Sequence, residues 1–168
     1  MLRSLALVLV AGCVTAPGEA TIRDDIEHAN PDIVTDGVVA VGFGTQPHCS
    51  GALISPHVVV TAAHCIPETV DGLVVLAGWD LDAPTVSVEA HVAITHPGYD
   101  AKTDANDIGL IALVDELPVP PLTLAGAPVA VDDAVTIAGF GRADDGHAGA
   151  KYAVFWVRTA PASPPRCA

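Results

Sequence analysis

The chain has 168 residues, 51% of them hydrophobic, which is enough for the core of one ordinary domain; only 4% are aromatic, so Val, Ala, Leu and Ile must fill that core. Seven Lys plus Arg stand against twenty Asp plus Glu, and the resulting net charge of -13 argues against nucleic acid and against an anionic membrane surface as partners.

Residues 1–12 carry a single basic residue, Arg3, then an apolar run from Leu5 to Val10, then small residues, which is the grammar of an export signal. The run is too short to span a bilayer. Val10-Ala11-Gly12-Cys13 resembles the lipobox of bacterial lipoproteins, which implies that Cys13 becomes the lipidated first residue of a mature, envelope-anchored chain. A plain secretory signal cut near Ala16 or Ala20, giving a secreted product, is the alternative. Residues 13–32 are polar and turn-rich, with Asp24, Asp25, Glu27, Asn30 and Pro31, and show neither strong period, so they read as a tether.

From Val38 onward, short apolar segments recur between Gly, Pro and Asp: Val38 to Phe43, Ala52 to Ile54, His57 to Val60 and Leu73 to Trp79. Between Cys49 and Cys65 the run CSGALISPHVVVTAAHC passes through a Ser55-Pro56 turn signal into three β-branched residues, Val58 to Val60; Thr61 to Ala63 can then close a single helical turn before His64. A bridge between the two cysteines would close a loop of 16 residues and pin the turn that carries His64. On residue types alone, His64 is either a reactive group or a satisfied core histidine beside a structural disulfide. Further on, Thr85 to Thr95 alternates cleanly, and the face of Val86, Val88, Ala90, Val92 and Ile94 is expected to pack inward. There is no long helical period and no repeat, so the fold class is all-β, an antiparallel barrel or sandwich.

His96 to Leu113 reads HPGYDAKTDANDIGLIAL, a loop that ends at Asn106-Asp107 and passes at once into an apolar strand. Asp107 therefore stands at a strand entrance, where a carboxylate can be buried yet hydrogen-bonded, although such a residue alone reads as a turn or cap. Leu117 to Leu122 is proline-rich, Val129 to Gly141 is a further apolar segment, and Pro161, Pro164 and Pro165 break any element near the end. The folded part is expected over 33–158, with a disordered tail over 159–168 that holds the odd cysteine, Cys167. Metal-ligand spacings are missing; His48, His57, His91 and His147 read as solvated, and neither metal nor cofactor is expected.

Three of these motifs resemble the trypsin-like serine proteases. TAAHC is similar to the family's histidine motif, in which a cysteine pair brackets a strand and the catalytic histidine directly precedes the second cysteine. HPGY followed by NDIGLIAL is similar to the setting of its triad aspartate, and AGFG to its Gly-Trp-Gly signature with Phe140 in place of the tryptophan. His64 and Asp107 lie 43 residues apart, against roughly 45 in the family. The resemblance spans about residues 36–142 and implies a two-barrel fold, with the first barrel complete, Leu117 to Leu122 as connector and the second barrel truncated. It implies a serine endopeptidase acting on protein or peptide substrates, with His64 as base, Asp107 as its orienting acid and Cys49–Cys65 bridged. The family's Gly-Asp-Ser-Gly-Gly nucleophile motif is expected roughly 90 residues beyond the aspartate. Within these residues the only serine after Asp107 is Ser163, which has no flanking glycines. The chain as given is therefore expected to be inactive. The alternative is a non-catalytic, envelope-anchored binding protein built on the first barrel.

Overall fold

The structure, a computed structural model, describes residues 25–26, 30–31, 36–44, 46–143 and 149–157. The expected signal over 1–12, Cys13, His147, Ser163, Cys167 and the tail over 159–168 lie outside the described residues. In chain order the strands are β1 (Asp25–Ile26), β2 (Asn30–Pro31), β3 (Val38–Phe43), β4 (Gln46–Ser55), β5 (Val58–Thr61), β6 (Leu73–Ala77), β7 (Val86–Thr95), β8 (Gly109–Leu113), β9 (Ala134–Gly139), β10 (Arg142–Ala143) and β11 (Tyr152–Val157). A single 3-10 turn, Ala63–Cys65, follows β5. No helix among the described residues is long and apolar enough to cross a membrane.

Six strands close into a barrel in the order β3-β4-β5-β8-β7-β6, every pair antiparallel. The fold is thus all-β and antiparallel as the strand rhythm implies, and of the barrel and the sandwich that the rhythm left open it is the barrel, as the resemblance implies. Beyond it, β9 pairs with β11 from Gly139↔Tyr152 to Ala134↔Val157, and β2 pairs with the other edge of β11. A parallel pair joins β1 to β10. Two two-residue strands, β1 and β2, therefore fall inside the segment that reads as a tether.

Barrel closure explains the composition. Val39, Val41, Leu53, Val59, Leu73, Val75 and Ile111 are fully enclosed inside it, a core of aliphatic side chains that needs no aromatic ring. β3 and β6 read as unbroken apolar runs because both their faces are covered. Val38, Ala40, Val74 and Leu76 point out of the barrel but are buried in a second cluster with Leu81 and Phe140. The proline-rich segment joins both clusters: Leu117, 1% exposed, belongs to the barrel core, and Leu122 packs on the second cluster while its N–H donates to the Leu53 carbonyl at 2.8 Å.

Two strand expectations change. The inward face of β7 holds only as far as Ala90, because a bulge between Ala90 and Val92 shifts the register against β8. Past the bulge Ala93 packs on the core, while Val92 and Ile94 turn outward and are 47% and 59% exposed. β6 ends at Ala77 because Gly78 takes φ 140, leaving Trp79 outside the strand.

Candidate active site

The site forms where two neighbouring barrel strands begin and end. β5 and β8 are antiparallel with Thr61 opposite Gly109, so the exit of one lies beside the entrance of the other. His64 follows three residues after Thr61 and Asp107 precedes Gly109 by two, so strand pairing brings these distant residues to one edge. The entrance of β8 is closely packed, since a Cβ on Gly109 would collide with the end of the Ile66 side chain and lie 3.0 Å from the Ile94 carbonyl oxygen.

The turn at Ala63–Cys65 is held from several directions. Cys65 and Ile66 N–H donate to the Ala62 and Ala63 carbonyls at 3.2 and 3.0 Å. Cys65 is bridged to Cys49 on β4, and the Thr61 hydroxyl donates to the Ser50 carbonyl at 2.8 Å. The sequence pattern places the helical turn at Thr61 to Ala63; the structure places it two residues later, around His64 itself.

Asp107 accepts twice from His64. The backbone N–H of His64 donates to Oδ1 at 2.9 Å, and the ring Nδ1 lies 2.6 Å from Oδ2. A carboxylate accepts only, so Nδ1 carries the proton and Nε2 is left as the basic nitrogen. The imidazole is 57% exposed and the carboxylate 20%, so the pair is open to solvent on the histidine side. The Asp107 carboxyl is held below the ordinary 3.8, first by the His64 backbone N–H; partial burial opposes this, and the His64 ring and the Ala63 N–H reinforce it.

Asn106, to which the sequence attaches no role beyond ending a loop, stands in the left-handed region at φ 56. Its side-chain amide donates to the Gly98 carbonyl at 2.9 Å. Tyr99 lies close by, its hydroxyl pKa raised by desolvation and then by Asp107, Asp104 and Asp100. Asn is tolerant of the left-handed conformation, and its position directly before Asp107 was the available signal. Among the histidines read as solvated, His57 and His91 are exposed. His48 is exposed too, but its ring stacks on Phe43 at 5.5 Å and Nε2 lies 3.4 Å from the Cys65 carbonyl. Cys49, His64 and Cys65 bring donor atoms within 4.8 Å of one another. With both sulfurs in the bridge, no thiolate is left there to hold a metal.

The family model described as Trypsin matches residues 29–165. Serine protease 57 of Mus musculus is 41% identical over 83 residues, 45% of this chain and 28% of that protein. The inactive CLIP domain-containing serine protease A3 of Aedes aegypti is 36% identical over 120 residues, 63% of this chain and 25% of that protein. The chain thus spans less than a third of the length of either relative. Among solved structures, neuropsin, a serine protease expressed in the limbic system of mouse brain, superposes with a TM-score of 0.69 at 21% identity, covering 77% of this chain and 63% of that one.

Proposed function

Because the chain belongs to the trypsin family, we propose that His64 and Asp107 are the base and the orienting acid of peptide-bond hydrolysis by a serine peptidase. The observation that carries this reading is the Nδ1 to Oδ2 contact of 2.6 Å, which fixes the tautomer and leaves Nε2 to take a proton from a hydroxyl. The acid stays ionised and stabilises the imidazolium that forms. General-base assistance of this kind is worth roughly 10²- to 10⁴-fold.

In this reading the hydroxyl, and the oxyanion donors that accompany it, come from sequence outside these 168 residues, because Ser163, the only serine after Asp107, has no flanking glycines. The coding DNA beyond Gly146, read in all three frames, tests the proposal. A Gly-Asp-Ser-Gly-Gly segment there, and a longer product that a fluorophosphonate labels only while His64 is intact, is the expected result. The 168-residue chain itself stays unlabelled; specific labelling of it that is lost in His64→Ala overturns the requirement for an outside nucleophile.

A second reading, a non-catalytic protein that binds a protein or peptide partner on the first barrel, is favoured by the similarity to the inactive serine protease A3. A cleft partner whose binding survives His64→Ala supports it. Under either reading Cys13 carries the lipid anchor, the only route to a membrane in this proposal, and rests on Val10-Ala11-Gly12-Cys13 alone. Mass analysis of the mature protein should find an acylated cysteine; a soluble product beginning at a later residue rules the anchor out.

A further inference from the structure

We propose that the side-chain amide of Asn106 is a positioning device that holds Asp107 against His64. The inference rests on reading that pair as base and orienting acid. Asp107 belongs to no strand, since β8 begins at Gly109, so the barrel does not fix its backbone. Instead the Ile108 N–H donates to the Asn106 carbonyl at 2.8 Å, which closes a three-residue turn with Asp107 at its apex. The turn is set on one side by Asn106, held at φ 56. On the other side the His96 N–H donates to the Ile108 carbonyl at 2.8 Å.

The Asn106 side of the turn is anchored twice: the Asp100 N–H donates to the Ala105 carbonyl at 3.0 Å, and the Asn106 amide itself, the anchor nearest Asp107, reaches back eight residues to the Gly98 carbonyl at 2.9 Å. This differs from the local side-chain bond of a turn residue, because it ties the two limbs of the loop together. Gly98 is itself fixed, its N–H donating to His96 Nδ1 at 3.1 Å. A side chain at that position would sit 3.3 Å from the Asn106 amide nitrogen, so glycine lets the limbs approach. Among the described residues no hydrogen bond joins Asn106 to His64, so Asn106 acts through Asp107.

The test uses Asn106→Ala and Asn106→Gly in the 168-residue chain, read by carboxyl ¹³C titration of Asp107 and by exchange of two amides. The His64 N–H, which donates to Asp107 Oδ1, reports the site; the Leu113 N–H, which donates to the His57 carbonyl at 2.9 Å, reports the barrel. Both variants are expected to raise the Asp107 midpoint toward 3.8 and to speed exchange at His64 by about 10-fold while leaving Leu113 unchanged. Unchanged behaviour in Asn106→Ala overturns the proposal. So does wild-type behaviour in Asn106→Gly, where the left-handed backbone survives without the amide, and so does equal loss of protection at both amides, which is global destabilisation. None of these readouts needs a nucleophile, so they stand apart from failure of the catalytic reading, which fluorophosphonate labelling reports.

Discussion

Removing the Cys49–Cys65 bridge by the paired change Cys49→Ser and Cys65→Ser should lower stability by about 3 kcal/mol. The figure follows from the 16-residue separation of the two cysteines, since closing a loop of that size removes about 3 kcal/mol of chain entropy from the unfolded state. Set against a typical total of roughly 5–15 kcal/mol, that is a large fraction. At roughly 2–4 °C per kcal/mol for a chain of this size, Tm should drop by about 6–12 °C, measured by far-UV circular dichroism in the absence of reductant. The folded state should keep its geometry at the site, because the Thr61↔Gly109 pairing that sets His64 beside Asp107 does not pass through the sulfurs. Asp107 should therefore still titrate below 3.8 in the folded variant. A Tm unchanged within error would refute the loop-closure argument. A folded variant with an ordinary Asp107 carboxyl would instead show that the bridge, and not the strand pairing, places His64.

Gly109→Ala adds a methyl group against Ile66 at the β5–β8 junction, and overpacking of this kind costs roughly 1–3 kcal/mol; urea unfolding should show that loss together with a rise in the Asp107 midpoint, and a neutral effect on both counts against a forced close approach there. The pH dependence follows from the lowered Asp107 carboxyl: above 3.8 both states are ionised and the pair's contribution is fully present, whereas below 3.8 the unfolded chain binds the proton first, so the contribution shrinks until the folded carboxyl is protonated as well. Urea midpoints of wild type and Asp107→Asn should thus differ by a constant amount at neutral pH and converge as pH falls below 3.8; a constant gap into strong acid contradicts the assignment.

Strand rhythm, the β5 segment and the pairing of a histidine motif with an aspartate motif were legible in the residues because each is local: β-branched runs, turn residues and a cysteine beside a histidine declare themselves within a few positions. The outward turn of Val92 and Ile94 was not legible, since the alternation continues unbroken through His91 and the bulge exists only because β7 must keep pairing with β8 while the barrel curves. The same holds for Phe140, whose backbone N–H donates to the Ser50 hydroxyl at 2.8 Å. Nothing in either segment points across 90 residues to the other. At the site, the chain alone determined which residue types could act, a histidine at the end of a strand and a carboxylate at the start of another. Only barrel closure decided that they meet, by setting Thr61 opposite Gly109. It also decided that the histidine offers its backbone N–H as well as its ring to the carboxylate, because hydrogen-bond geometry between segments depends on a register that no single segment contains.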